Sequence, residues 1–198
     1  MNKRELAPGI VVYGDVVSGY ETLVSDIEEG MVSAGRSWQQ STVKRGEDTG
    51  VYTDSRDTLT IGVPYNDVIV DNFANLDEAF NANLSNMFLG GFGPAEADYK
   101  ADYQFDTTWH DQYGILKYGV GQKFVNHIDD HKDYHRRIST VYYINDNYSG
   151  GEILFPRFNL KYKPKANELL IFPSSYVYNH SVLPVVEGTR YAVVSWLK

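Results

Sequence analysis

Cysteine is absent from the 198 residues. No disulfide, thiolate metal site or cysteine nucleophile is open to this chain, and the absence fits an intracellular, cytoplasmic setting. Positive charge is scarce: 18 Lys and Arg stand against 26 Asp and Glu, for a net charge of −8. Phosphate binding relies on clustered cations, so no extended nucleic-acid surface is expected, although a small basic pocket remains open. Long apolar runs are lacking as well. No stretch approaches the ~18 residues of a membrane span, so no membrane partner is expected. The N-terminal sequence has no long apolar run before its first acids, which argues against a signal peptide. There is no repeat, low-complexity tract or linker, and one domain over 1–198 is the simplest reading.

Tyrosine is plentiful. The chain has 16, within 42% hydrophobic and 14% aromatic residues, and is long enough for a sizeable core. Tyrosines suit strands, and they line pockets that are apolar yet offer hydroxyls. The first third carries helical signals. Ser18 is placed to cap a helix over about 20–34, with Leu23, Ile27 and Met31 on one face and Gly35 ending it. Asp71 is placed to cap a second helix. Phe73, Leu76, Phe80, Leu84 and Phe88 follow at three- and four-residue steps, and Gly90, Gly91, Gly93 and Pro94 are expected to close it. From about residue 104 short β-rich runs take over, at 115–118, 123–128, 139–144, 152–155, 168–172 and 190–197, separated by turn clusters. The fold class expected is mainly β with flanking helices: helical support over about 1–103 and a catalytic β core over about 104–198.

Three of the five histidines fall within nine residues, in N-H-I-D-D-H-K-D-Y-H. On a strand, His127 and Asp129 share a face. His180, just after the strong strand L-L-I-F-P, is the natural third ligand. Two imidazoles and one carboxylate on one face leave positions open for O2 and a bidentate co-substrate, and suit Fe(II). The competing reading puts His127, His131 and His135 on one helical face as a zinc site. Strand-like flanks and a polar stretch between them disfavour it. Ten residues after His180 comes Arg190. A hairpin across 184–188 would return it beside the strand that delivers His180, as a clamp for a dianionic co-substrate. The competing role for Arg190 is a surface or cross-strand ion pair.

The C-terminal half, about 116–196, resembles the catalytic domain of the Fe(II)/2-oxoglutarate-dependent prolyl hydroxylases. The likeness rests on four blocks in the family's order: Y-G-V-G-Q-K-F-V-N-H-I-D (118–129), T-V-Y-Y-I-N-D (140–146), G-G-E-I-L-F-P (150–156) and H-x9-R-Y-A-x3-W (180–196). The resemblance implies a double-stranded β-helix, or jelly-roll, core. It implies iron on His127, Asp129 and His180, and the distal carboxylate of 2-oxoglutarate on Arg190 and Tyr143. Tyr118 would line the same pocket. Trp196 would lie near the substrate entrance, and either Arg136 or Arg137 would help bind peptide. The implied activity is hydroxylation of a prolyl residue in a protein or peptide, consuming O2 and yielding succinate and CO2, with ascorbate as an accessory reductant. The alternatives are a free amino acid or small molecule as substrate, a non-catalytic β-barrel binding module, or a nucleic-acid demethylase. Segments 38–61 and 92–112 are the candidate lids. Gly150 and Gly151 are expected to permit a tight turn. His131 and His135 are expected exposed, with Asp130 and Asp133 as loop charge, and His110 receives no role.

Overall fold

The structure is a computed structural model and describes residues 1–45, 48–65, 74–107, 109–133 and 135–198. In chain order come β1 (Asn2–Ala7), β2 (Ile10–Gly14), α1 (Leu23–Ser33), β3 (Gln39–Gln40), β4 (Val43–Arg45), β5 (Asp48–Gly50), β6 (Leu59–Val63) and α2 (Leu76–Tyr103). Then follow β7 (Tyr113–Tyr118), β8 (Phe124–His127), β9 (Ile138–Tyr143), β10 (Ser149–Gly150), β11 (Ile153–Phe155), β12 (Leu160–Tyr162), β13 (Glu168–Pro173), β14 (His180–Val182), β15 (Val185–Glu187) and β16 (Arg190–Leu197). An eight-stranded antiparallel sheet has the order β1-β2-β13-β9-β16-β7-β6-β3, and a four-stranded one the order β12-β11-β14-β8.

The larger sheet is the middle layer, and its sequence shows why. Val11 and Tyr13 of β2, Tyr142 of β9, Leu169 and Ile171 of β13, and Tyr191 and Val193 of β16 join one core cluster. That cluster also holds Leu23, Ile27 and Met31 of α1 and Phe88, Phe92 and Tyr99 of α2. The alternate residues Ile10 and Val12, Val141 and Tyr143, Leu170 and Phe172, and Ala192 join a second cluster. There they meet Ile153 and Phe155 of the smaller sheet. Period-two alternation with both faces buried reads as unbroken hydrophobic sequence. Helices cover one face and the smaller sheet the other, in the double-stranded β-helix arrangement expected.

Three expectations need correction. The first 103 residues are not only helical support, because β1, β2, β3 and β6 supply four strands of the large sheet. The run I-V-V-Y hides its alternation, since neither face meets water. The second helix does not close at its glycines and Pro94 but runs to Tyr103. An internal proline costs about 3 kcal/mol. Burying Phe92 among the glycines and Tyr99 beyond them offsets this, at about 1.5–3 kcal/mol each. Asn75 caps α2, its side chain accepting from Glu78 N at 2.9 Å. The expected cap Asp71 and the face residue Phe73 lie outside the described residues. The first helix is as expected in its buried face and in its end at Gly35 (φ +67°), but Ser18 does not cap it; Thr22 occupies that position.

Candidate metal and co-substrate site

β8 and β14 pair antiparallel with His127 opposite His180, and their ring centroids lie 4.3 Å apart. Asp129 follows two residues after His127. Its carboxylate lies 3.4 Å from His127 Nε2 and 3.8 Å from His180 Nε2. One ligand atom from each of the three falls within 4.8 Å of the others, and no other such group occurs among the described residues.

The surrounding contacts decide which ring nitrogens face inward. His127 Nδ1 lies 2.8 Å from the carbonyl of Val125, and His180 Nδ1 3.1 Å from that of Tyr178. A carbonyl only accepts, so each Nδ1 carries a proton and each Nε2 is the nitrogen that faces inward. Ser139 donates to Asp129 Oδ2 at 2.6 Å. Burial alone would raise the Asp129 carboxyl, but His180, His127 and Ser139 hold it well below the usual range. Burial, then His127, pushes the His180 imidazole down to about 4. Two imidazoles and a carboxylate thus converge on one point, an arrangement that suits a divalent cation.

The competing helical zinc site, disfavoured by its flanks, finds no helix to form on. The described residues between His127 and Ile138 contain no helix, and His135 is 80% exposed. His131 is half-buried rather than exposed. Asp130 is more than loop charge, because it accepts the backbone N–H groups of His131 and Arg136 and so shapes the loop.

The route by which Arg190 reaches the site also differs from expectation. It does not lie beside the strand carrying His180. β14 belongs to the small sheet, whereas β16 lies in the large sheet between β9 and β7. The 182–190 segment crosses between sheets, with β15 pairing to β10 on the way. Arg190 therefore enters the cavity from the wall opposite the ligands. It is 1% exposed, and its Nε and Nη1 have no hydrogen-bond partner. The guanidinium lies over the rings of Tyr118, at 4.8 Å, and Tyr143, at 5.1 Å. The hydroxyls of Tyr143 and Tyr148 are likewise buried without partners. Burial pushes both hydroxyls up against the opposing pull of Arg190, so both stay protonated donors. Unpaired buried donors are costly, about 1–3 kcal/mol each. Four around one buried cation outline the place of a carboxylate.

Tyr148 was not singled out by sequence reasoning. It lies in the turn cluster 145–151 and reads there as an ordinary turn aromatic. Its turn is set by Gly150 and Gly151, at φ +70° and +64°. A Cβ on Gly151 would stand 3.1 Å from both Arg190 Cδ and the Tyr148 ring. The glycine pair therefore lets the chain pass against the clamp.

Ligands and clamp share a cavity of roughly 780 Å³, which Tyr118, Arg136 and Trp196 also line. Strand periodicity puts Arg190 and Trp196 on one face of β16, about 20 Å apart at opposite ends of the cavity. Arg136 stacks on Trp196, 3.5 Å from the ring centroid, and donates to Asp111 Oδ2 at 3.2 Å. Arg137 turns away, donating to the Asp106 carbonyl at 2.6 Å. Of the two candidates, only Arg136 borders the cavity. Behind this wall, His110 Nε2 meets Glu96 at 2.8 Å and His110 Nδ1 meets Ser195 at 3.2 Å. Of the candidate lids, the 38–61 half borders the cavity through Thr42, Val43, Thr49, Ser55 and Arg56. Residues 92–103 are instead the end of α2.

The family model described as "2OG-Fe(II) oxygenase superfamily" matches residues 113–198. A PKHD-type hydroxylase of Prochlorococcus marinus (strain MIT 9215) is 38% identical over 84 residues, 39% of this chain and 37% of that protein. The match thus spans little more than a third of that relative's length. Among solved structures, a Trichoplax adhaerens prolyl hydroxylase in complex with a hypoxia inducible factor peptide fragment superposes with a TM-score of 0.69 at 17% identity, over 96% of this chain and 83% of that one. A Pseudomonas putida prolyl-4-hydroxylase gives 0.65 at 17% identity, over 96% and 92%. The viral collagen prolyl hydroxylase of Paramecium bursaria Chlorella virus-1, solved as its 2OG complex, gives 0.55 at 18% identity, over 96% and 95%. At these identities the structural likeness establishes the fold.

Proposed function

We propose, from residues 113–198 that belong to the 2OG-Fe(II) oxygenase superfamily, that this chain is an Fe(II)- and 2-oxoglutarate-dependent dioxygenase that hydroxylates a prolyl residue in a protein or peptide. The carrying observation is the pairing of two features across one cavity: a buried three-ligand cluster on one wall, and orphaned donors around Arg190 on the other. A metal site alone would serve many chemistries. A metal site facing an anion clamp fits a co-substrate that chelates with one carboxylate and anchors with the other.

In this reading His127, Asp129 and His180 hold iron. Arg190, Tyr143 and Tyr148 bind the distal carboxylate of 2-oxoglutarate, and Tyr118 lines the same pocket. Iron held there supplies the coupling of 2-oxoglutarate decarboxylation, to succinate and CO2, with insertion of one oxygen atom from O2 into a C–H bond. The protein orients the metal by fixing both Nδ1–H groups on carbonyls. It positions the co-substrate by the clamp and excludes water with the packed inner faces of both sheets. Arg136 and Trp196 form the wall that a peptide would meet. The prolyl assignment is supported by the prolyl hydroxylases among the structural neighbours and by the PKHD-type relative.

The test is succinate formation from 2-oxoglutarate with added Fe(II), with proline-containing peptides analysed by mass for the gain of one oxygen. Oxygen gained on proline supports the full reading. Turnover that modifies a free amino acid or a small molecule instead would refute the prolyl part alone. Absence of both 2-oxoglutarate binding and turnover would leave a non-catalytic barrel.

A further inference from the structure

Arg56 is the feature of the cavity that the proposed reaction leaves unused. It lines the cavity, and its Cζ lies 4.9 Å from the centroid of the Phe124 ring. Phe124 stacks in turn on the metal-ligand ring of His127, centroids 3.5 Å apart and planes 15° from parallel. The guanidinium therefore stands two stacking steps from the metal site. Its Nε is buried with no hydrogen-bond partner, and no acid of the described residues pairs with it.

Its backbone is held firmly. Arg56 forms an isolated β-bridge with Phe124, and Val125 N donates to the Ser55 carbonyl at 2.8 Å. Asp57 and Lys123 exchange backbone hydrogen bonds in both directions. Gln122 and Gln40 both donate to Asp57 Oδ1. The cation is thus preorganised at the edge of β8 rather than carried on a free loop.

Charge balance says what it awaits. In the proposed complex the two charges of iron cancel the two of 2-oxoglutarate, and Arg190 cancels Asp129. Arg136 is paired with Asp111, which also meets Lys198. Asp130 is occupied by backbone donors. Arg56, by contrast, has no acid among the described residues as its ion-pair partner, in a chain whose net charge is −8. A partly desolvated guanidinium with a free edge binds a carboxylate far better than a neutral amide.

We propose that the prime substrate carries a carboxylate on the hydroxylated residue or its immediate neighbour, and that Arg56 binds it. The inference rests on the oxygenase reading and names its substrate class. The carboxylate has two possible sources, an acidic side chain beside the target or the free carboxyl terminus of a short peptide or amino acid.

The test is an anaerobic titration of the protein loaded with Mn(II) and 2-oxoglutarate, read by tryptophan fluorescence, because Trp196 lines the same cavity. One arm compares end-capped proline peptides flanked by Asp or by Asn. The other compares proline and short prolyl peptides as free acids and as amides. The expected result is roughly ten- to a hundredfold tighter binding of the carboxylate form in one arm, which also identifies the source. Arg56→Gln should remove the preference and Arg56→Lys should keep part of it. Both variants should retain Mn(II) and 2-oxoglutarate binding, which separates lost recognition from lost folding. No preference in either arm, or a preference that survives Arg56→Gln, overturns the inference while 2-oxoglutarate binding keeps the oxygenase reading intact. Absence of 2-oxoglutarate binding in the unaltered protein would overturn both.

Discussion

Replacing Arg190 by methionine should make the metal-free protein more stable while abolishing its response to 2-oxoglutarate. The usual expectation for a fully buried, large side chain is the opposite. Arg190, however, leaves Nε and Nη1 unpartnered, and no carboxylate pairs with it. Two buried unsatisfied donors cost about 1–3 kcal/mol each. The charge gains back about 0.5–2 kcal/mol from each of the Tyr118 and Tyr143 rings. The balance favours a methionine, which fills similar volume with no charge, by about 1–2 kcal/mol. For a chain of this length, that raises Tm by about 2–8 °C. In the unaltered protein, 2-oxoglutarate at a hundred times its Kd adds about 2.7 kcal/mol. The variant should show none of that gain. Scanning calorimetry of the metal-free protein measures the first effect, and scans in Mn(II) with and without 2-oxoglutarate measure the second. A variant that melts well below the unaltered protein and is still stabilised by 2-oxoglutarate would refute the clamp.

Three further outcomes follow from the same structure. His180→Ala should abolish metal binding while His131→Ala retains it, measured by bound metal after dialysis; the reverse would restore the helical zinc site. The metal-free protein should lose stability on acidification through His180, whose pKa is held at about 4 against 6.5 when free. The unfolded chain takes up that proton first, so the contribution is complete above pH 6.5. It is lost progressively down to about pH 4, by about 3 kcal/mol, and denaturant titration across that window reads it. In α2, Gly90→Ala should stabilise by about 0.5–1 kcal/mol, since a Cβ there meets nothing within 4 Å. Gly91→Ala should destabilise instead, because its Cβ would stand 2.7 Å from Val17 Cγ2 and 2.9 Å from the Val16 carbonyl; paired thermal melts compare the two.

The metal cluster was legible in the sequence because strand periodicity and a short spacing join His127 to Asp129. His180 and Arg190 were also found, but the geometry joining them was not. A hairpin is the shortest way to link residues ten apart. The sequence carries no mark of the crossing between sheets, which arises when β15 pairs with β10 and lets β16 insert beside β9. The choice between Arg136 and Arg137 depended on a register of one residue. Which of them borders the cavity is set by contacts distant in sequence, Asp111 for one and the Asp106 carbonyl for the other. Tyr148 and Arg56 were missed for a common reason. Each sits in irregular chain, where periodicity gives no direction, and each is aimed by partners far away: Gly188 beside Tyr148, Phe124 and Lys123 beside Arg56.

The site's two halves belong to different sheets, and this divides its tasks. The proposed iron ligands lie on and just after strands of the small sheet, whereas the proposed clamp, Arg190, sits near the centre of the large one. What fixes their separation is the apolar layer between the sheets. There Phe155 and Phe172 meet edge to face at 5.0 Å, and Phe172 packs on the His180 ring at 4.9 Å. Interiors of this kind resist compression, so co-substrate geometry is set by packing and not by loops. Arg56 lies outside that layer, on a connection that bridges to the edge strand β8. Sequence there can change without moving the proposed metal ligands or Arg190. The arrangement lets substrate recognition vary on the loop side while the chemistry stays fixed between the sheets.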